Sequence, residues 1–394
     1  MSEGKHARHT AEGPLRVAAD QELVRVRRKR KGSKHYRPLL LGTLAVLSLF
    51  VIVIAGIALW GLSLQRSMSI DEGERESLQD ALAQAADPVT GTSSAPARPE
   101  SSAFYALLVG SDERDGLYGA RGDVLVLVRV DLDNSVIHLV SIPRDTMVTI
   151  PGVIGTQKIN ASYHLGDGGA ARAVRTISEF AGVPISHYAE VDFVGVQQVV
   201  DSLGGVWVDV PEAVTTNSGA YFPAGDQLLD GQRALMLARE RYHVTGGDFG
   251  RASMQRQIIA AIIRQILQSS PAEVPGLVTK LAEAVSTDYS VPELIQLAMD
   301  ANGTTPTIYS CVCPSYAIDI NGVSYVAPMF DRWQDMMRRV DAGLDPNDTS
   351  QEIPEPQASD TTLGAAPNSP AEHDYQGLLE DHPFTTDLVT DQGI

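Results

Sequence analysis

From Leu39 to Leu64 the chain runs LLLGTLAVLSLFVIVIAGIALWGLSL without a charged residue. At about 1.5 Å per residue this is enough helix to cross about 30 Å of hydrocarbon. A cleaved signal peptide would carry a shorter apolar core, of about 7 to 15 residues, and a small-residue cleavage site. Here the stretch is longer and runs on into Gln65, Arg66 and Met68, so it reads as a transmembrane anchor. Arg25, Arg27, Arg28, Lys29, Arg30, Lys31, Lys34 and Arg37 precede it. Short segments rich in Lys and Arg stay on the cytoplasmic side, which places the N-terminus inside and the bulk of the chain outside the cell membrane.

Charge is unevenly spread along the 394 residues, which carry a net −18. Residues 1–37 hold eleven Lys/Arg against four Asp/Glu, whereas residues 341–394 hold twelve acids and no Lys or Arg. An acidic body argues against nucleic-acid binding, because neutralising a track of phosphates needs a basic surface. Any anionic ligand must therefore meet a local cluster of cations. Only Cys311 and Cys313 are present; this spacing is too tight for a tetrahedral metal site, and a disulfide across one residue is strained.

Composition divides the chain into a basic cytoplasmic tail (1–37), the membrane helix (38–64), a flexible stalk rich in Ala, Ser, Thr and Pro (65–102), a folded domain (103–342) and an acidic tail (343–394). The tail carries too little apolar surface to offset the entropy of ordering and is expected to be disordered. Within the domain, Phe104 to Val109, Val124 to Val130 and Val136 to Ile142 are β-branched runs, the last two joined by the turn residues 131–134. Short strands are also expected at Tyr188 to Val191 and Val206 to Val210. Three- and four-residue apolar spacing predicts helices over 170–181, 193–203, 231–241, 252–267, 274–285, 291–301 and 331–340. This order predicts a three-layer α/β/α domain with a central mixed sheet.

Four stretches place charge where structure alone would not require it: Gly110-Ser111-Asp112-Glu113-Arg114, Arg121-Gly122-Asp123, Pro143-Arg144-Asp145 with Lys158, and Arg239-Glu240-Arg241 followed by the 246–251 segment and Gln255. Taken singly, an Arg beside an Asp is more often a surface ion pair than a ligand. Together they mix guanidinium forks, which suit phosphate oxygens, with carboxylates, which suit Mg²⁺; that combination points to a pyrophosphate. A helix entered through Gly246 to Arg251 would add its N-terminal dipole.

The run LLVGSDERDG, RGDVLVLVRVD, VSIPRDTMVTIPG, KINASY, YAEVDFVGVQQVVDSLGGVWVDVP, LDGQRALMLARERY and GDFGRASMQRQ resembles the LytR-CpsA-Psr family across roughly residues 103–340. The resemblance implies an anchored extracytoplasmic α/β/α domain with a long apolar pocket for a polyprenyl tail. It also implies a Mg²⁺-dependent phosphotransferase that moves glycopolymers from polyprenyl-pyrophosphate carriers to the cell wall, usually to peptidoglycan. Position by position, Asp112 and Asp123 match the metal-linked aspartates. Arg121, Arg144, Arg239, Arg241, Arg251 and Gln255 match pyrophosphate-contacting positions, with Lys158 as an accessory. Among these, Asp112, Asp123, Arg144, Arg239 and Arg241 are the expected catalytic set. Met254 stands where many relatives carry an arginine before the Gln, and Val148 where some carry a further one after the Pro-Arg-Asp segment.

Three alternatives stay open at this point: hydrolysis with water as acceptor, a protein acceptor in place of peptidoglycan, and a non-catalytic lipid-binding or transcription-attenuating envelope protein. The last would need a cytoplasmic nucleic-acid domain, and 37 residues are too few to form a core of their own.

Overall fold

A computed structural model describes residues 70, 72–86, 103–112, 121–164 and 168–371. The elements run α1 (Glu72–Ala86), β1 (Phe104–Asp112), β2 (Arg121–Asp131), β3 (Val136–Ser141), β4 (Met147–Thr149), β5 (Thr156–Lys158), α2 (Ala161–His164), α3 (Gly169–Ala181), β6 (Ile185–Asp192), α4 (Phe193–Ser202), β7 (Val206–Val210), β8 (Val214–Thr215), β9 (Tyr221–Phe222), β10 (Gly225–Leu229), α5 (Gly231–Arg239), α6 (Asp248–Leu267), α7 (Val274–Ala282), β11 (Val285–Thr287), α8 (Val291–Ala301), β12 (Thr307–Val312), β13 (Ser315–Ile320), β14 (Val323–Pro328), α9 (Phe330–Asp341) and α10 (Glu355–Ala358).

Six strands form one mixed sheet in the order β11-β6-β1-β2-β3-β12. β1 pairs antiparallel with β2 and parallel with β6, and β12 pairs parallel with β3. β2 explains the near-continuous apolar run of the sequence. Leu125 and Leu127 enter the core shared with α1, α3 and α9, while Val124, Val126 and Val128 face the opposite side with Ala260, Ile259 and Ile263 of α6. A strand covered on both faces has no polar side to show. The three-layer arrangement follows from this alternation. The described residues contain no helix long and apolar enough to cross a membrane; the span expected over 39–64 lies outside them.

Two expectations of disorder are corrected. Within the expected stalk, 72–86 is a helix whose Leu78, Ala81 and Leu82 are buried in the main core. Within the expected disordered tail, 343–371 is placed against the domain: Leu363 and Ala366 are buried. The Asn368 amide donates to the Thr176 carbonyl at 2.9 Å, the Ser369 hydroxyl donates to the Met147 carbonyl at 2.8 Å, and the Gly364 amide donates to the Ala181 carbonyl at 2.8 Å. Small polar residues here satisfy buried main-chain groups of the core, so the segment is ordered by hydrogen bonds as well as by the apolar contacts of Leu363, Ala366 and Ala371. Cys311 and Cys313 are both buried free thiols in the core.

A candidate pyrophosphate site at the end of the sheet

The end of β1 is built around an irregularity. Gly110 pairs with Val124 and Ser111 with Gly122, leaving Asp123 without a partner on β1. Such a bulge re-aims one side chain out of the ladder. Glycine is required at 110, because a Cβ there would sit 2.7 Å from the Val124 Cβ. The ladder then closes with Asp112 opposite Arg121, which puts the two expected metal-linked aspartates on neighbouring strands, Asp123 two residues beyond the partner of Asp112. The side chains of Asp112 and Arg121 lie outside what the structure describes.

Arg144 arrives from the next strand connection. Thr146 closes the turn with its amide and hydroxyl donating to the Pro143 carbonyl at 2.9 and 2.6 Å, and the Asn160 amide donates to the Arg144 carbonyl at 3.1 Å. So held, the Arg144 guanidinium donates to Asp123 Oδ1 at 2.8 Å and lies 3.6 Å from Asp248 Oδ1 and 4.0 Å from Asp145 Oδ2. Asp248 is the first residue of α6, reached through Gly246 and Gly247, whose φ values of 81° and 58° favour glycine. One turn on, the Arg251 guanidinium meets Asp248 Oδ1 at 2.8 Å. Asp248 is thereby shared by two arginines.

Asp123, Arg144, Asp248, Arg251 and Gln255 line one recess of about 20 Å³ between the sheet end and α6. Burial pushes the Arg251 pKa down and neighbouring Arg144 and Arg241 push it further, against Asp248 and Asp123. Arg144 is affected in the opposite sense: burial lowers its pKa, but Asp248, Asp123 and Asp145 raise it on balance. Arg251 Nε is buried without a hydrogen-bond partner among the described residues. A buried, unpaired guanidinium donor beside a recess is a place for an oxyanion.

Of the remaining predicted residues whose side chains are described, Arg239, Arg241 and Lys158 do not line the recess. Gln255 lines it and also donates its amide to the Ala238 carbonyl at 2.9 Å, tying α6 to the end of α5. Arg241 is in electrostatic reach of Arg251 and lies over the Tyr242 ring at 4.7 Å. Arg239 stacks on Phe193 at 3.8 Å. Lys158 Nζ pairs with Asp145 at 2.9 Å, one residue from Arg144. Asp248 was within a stretch the sequence singled out, yet it was not read as a site residue; its signal was an acid at the start of a helix three residues before an arginine. Arg256 faces away, donating to Ser310 Oγ at 2.7 Å beneath α6. Met254 and Val148 are buried core residues.

The long apolar pocket implied by the resemblance is not the recess, which is small and polar, nor a second cavity described below. Apolar surface does adjoin the cluster: Leu108, Val124, Val128, Ile259 and Ile263 are only partly buried between the sheet face and α6.

A model of the LytR_cpsA_psr family matches residues 72–341, and its start coincides with α1. The chain belongs to this family. The polyisoprenyl-teichoic acid–peptidoglycan teichoic acid transferase TagU of Halalkalibacterium halodurans is 34% identical over 225 residues, covering 57% of this chain and 73% of that protein. The crystal structure of Bacillus subtilis TagV matches with a TM-score of 0.51 at 32% identity, over 58% of this chain and 92% of that one. A structure of TagT bound to LIIa-WTA matches with a TM-score of 0.50 at 25% identity, over 61% and 91% of the two chains. The mixed α/β domain is thus a LytR-CpsA-Psr domain.

Proposed function

We propose that this LytR-CpsA-Psr protein is a membrane-anchored phosphotransferase that moves a glycopolymer from a polyprenyl-pyrophosphate carrier to peptidoglycan. The convergence of Arg144 and Arg251 on one recess, sharing Asp248 and with the Arg251 Nε unpaired, carries this reading. A diphosphate offers several oxygens to such a fork arrangement, and fixed guanidinium groups stabilise charge that builds on phosphorus in the transition state. Arg239 and Arg241 would extend the cradle along the exposed side, with Lys158 and Arg121 at its margin. The partly covered seam beside α6 suits the first isoprene units of the carrier. The names of the relatives, transferases acting on polyisoprenyl-linked teichoic acid, support the substrate class.

In the reaction, an acceptor hydroxyl oxygen bonds to the phosphorus that bears the glycan. The bond from that phosphorus to the bridging oxygen breaks, polyprenyl phosphate departs, and the hydroxyl proton is released. Among the described residues no three His, Cys, Asp or Glu side chains gather as a metal site. Asp123, however, offers a hard carboxylate oxygen beside the recess, and Mg²⁺ is commonly held by one or two carboxylates together with substrate phosphate oxygens. Asp123 and Asp112 would hold it, and it would supply charge neutralisation on the phosphates. Arg144, by pairing with Asp123, holds that carboxylate in place.

The test is reconstitution of the full chain with a lipid-pyrophosphate-linked glycopolymer and peptidoglycan. Covalent attachment of polymer to peptidoglycan with release of polyprenyl phosphate is the expected result. Release of free phosphorylated polymer at the same rate with and without peptidoglycan would show a hydrolase instead.

A further inference from the structure

The same end of the sheet carries a second, larger cavity of about 440 Å³. Ser111, Tyr163, Glu190, Asp192, Gln198 and Glu283 are among its lining residues, and among the described residues no Lys or Arg contributes to it. It neighbours the candidate pyrophosphate site along the paired ends of β1 and β2. Ser111 immediately precedes Asp112 and pairs with Gly122, the residue before Asp123. Tyr163 packs against that pair, its Cβ 3.4 Å from where a Gly122 side chain would begin. β1 stands between β2 and β6, so about 10 Å, two strand spacings, separates the cavity's carboxylates on β6 from Asp123.

Its polar groups are set in place before any ligand arrives. Glu190 accepts from the Tyr163 hydroxyl and, at 3.1 Å, from the Tyr188 hydroxyl. Asp192 accepts from the Gly195 amide at 2.6 Å, capping α4. Ser111 is 2% exposed and lines the cavity. A hydroxyl in the wall of a polar cavity can donate to or accept from a ligand.

The charge of the cavity decides which ligand. The three carboxylates that the described residues contribute repel an anionic polymer, whereas carboxylates, hydroxyls and an amide together suit a neutral molecule dense in hydroxyl groups. We propose that this cavity seats the acceptor, a neutral amino-sugar unit of a glycan strand, and presents its reacting hydroxyl across Ser111 to the phosphorus held at the arginine cluster. The inference rests on the transferase reading above. The donor's charged polymer would leave the recess by another route.

The experiment uses the full chain in detergent micelles, a lipid-pyrophosphate-linked glycopolymer as donor, and a soluble uncrosslinked peptidoglycan glycan-strand oligosaccharide as acceptor. Ser111→Val, Gln198→Ala and Ser286→Trp, the last filling the cavity from β11, are compared after their unfolding temperatures have been measured. The expected result is an acceptor KM raised about ten-fold, the loss of one good polar contact, with the donor KM unmoved. An unchanged acceptor KM in the folded variants, or a rise in donor KM instead, overturns the proposal while leaving the transferase reading intact. If the wild-type chain transfers nothing, the parent reading fails, and saturation-transfer NMR with the oligosaccharide alone decides the cavity. Sugar signals seen with the wild type and lost with Ser286→Trp then support it, and no signal with the wild type sinks it.

Discussion

Glu240 lies between the two arginines of the Arg-Glu-Arg run and is only 4% exposed. Its carboxylate accepts from the amides of Asn217, Arg241, Tyr242 and His243 at 3.0, 3.0, 2.8 and 3.1 Å. Burial would raise its pKa, but the amides of Tyr242, Asn217 and His243 hold it below the usual range. It fixes the turn on which Arg239 and Arg241 are carried, although the sequence presents it only as one more charge in a charged run. Glu240→Ala is expected to cost about 2 kcal/mol or more of stability, because four amides lose a buried acceptor, and to weaken transfer through both arginines. Glu240→Gln, which keeps an acceptor oxygen, should fall between. Denaturant unfolding with donor kinetics checks this, and an Ala variant as stable as the wild type contradicts it. The same contrast runs through the site. Arg144, Arg251 and Asp123 were legible because charge at a strand end or helix start has few structural uses, whereas Asp248 and Glu240 act by orienting neighbours, and orientation leaves no mark in residue type alone.

His138 of β3 is fully buried and donates from Nε2 to the Leu344 carbonyl at 2.8 Å, pinning the start of the C-terminal segment to the sheet. Burial lowers its pKa from 6.5 to about 4, with Arg129 adding to the shift and the Leu344 bond opposing it. Below pH 6.5 the unfolded chain therefore binds a proton that the folded chain refuses. Stability from this group is full above 6.5 and drains away as the pH falls towards 4, by roughly 2 to 3 kcal/mol between pH 7 and 4.5. His138→Gln should show a correspondingly shallower loss over that interval in denaturant unfolding; identical slopes would contradict the assignment. The strands and long helices of the domain were legible because their periodicity is set by burial on one or two faces. The helix over 72–86 was not, since Leu78, Ala81 and Leu82 make a narrow apolar stripe on an otherwise polar, Glu-rich segment. The 344–371 segment was hidden for a related reason: Asn368 and Ser369 attach it through main-chain partners, which composition does not reveal.

Across the whole molecule, an acidic chain concentrates its few spare cations where the sheet ends. β2, the β3–β4 turn and the start of α6 each deliver one part of the cluster, so the site depends on the tertiary fold and on no single motif. That dispersal is why its membership was readable only by combining separated stretches, and why Arg239 and Lys158, though part of the same pattern, stand outside the recess itself. The most direct test of the account is the rate of glycopolymer transfer from a lipid-pyrophosphate donor by Arg144→Lys and Arg241→Ala in the full chain. A lysine in place of Arg144 cannot hold Asp123 and Asp248 in one fork, and Arg241 is exposed enough to be removed without disturbing the core. The account predicts a fall of about 100-fold or more in both, at an unchanged unfolding temperature. Wild-type transfer by either variant, with the fold intact, would contradict it.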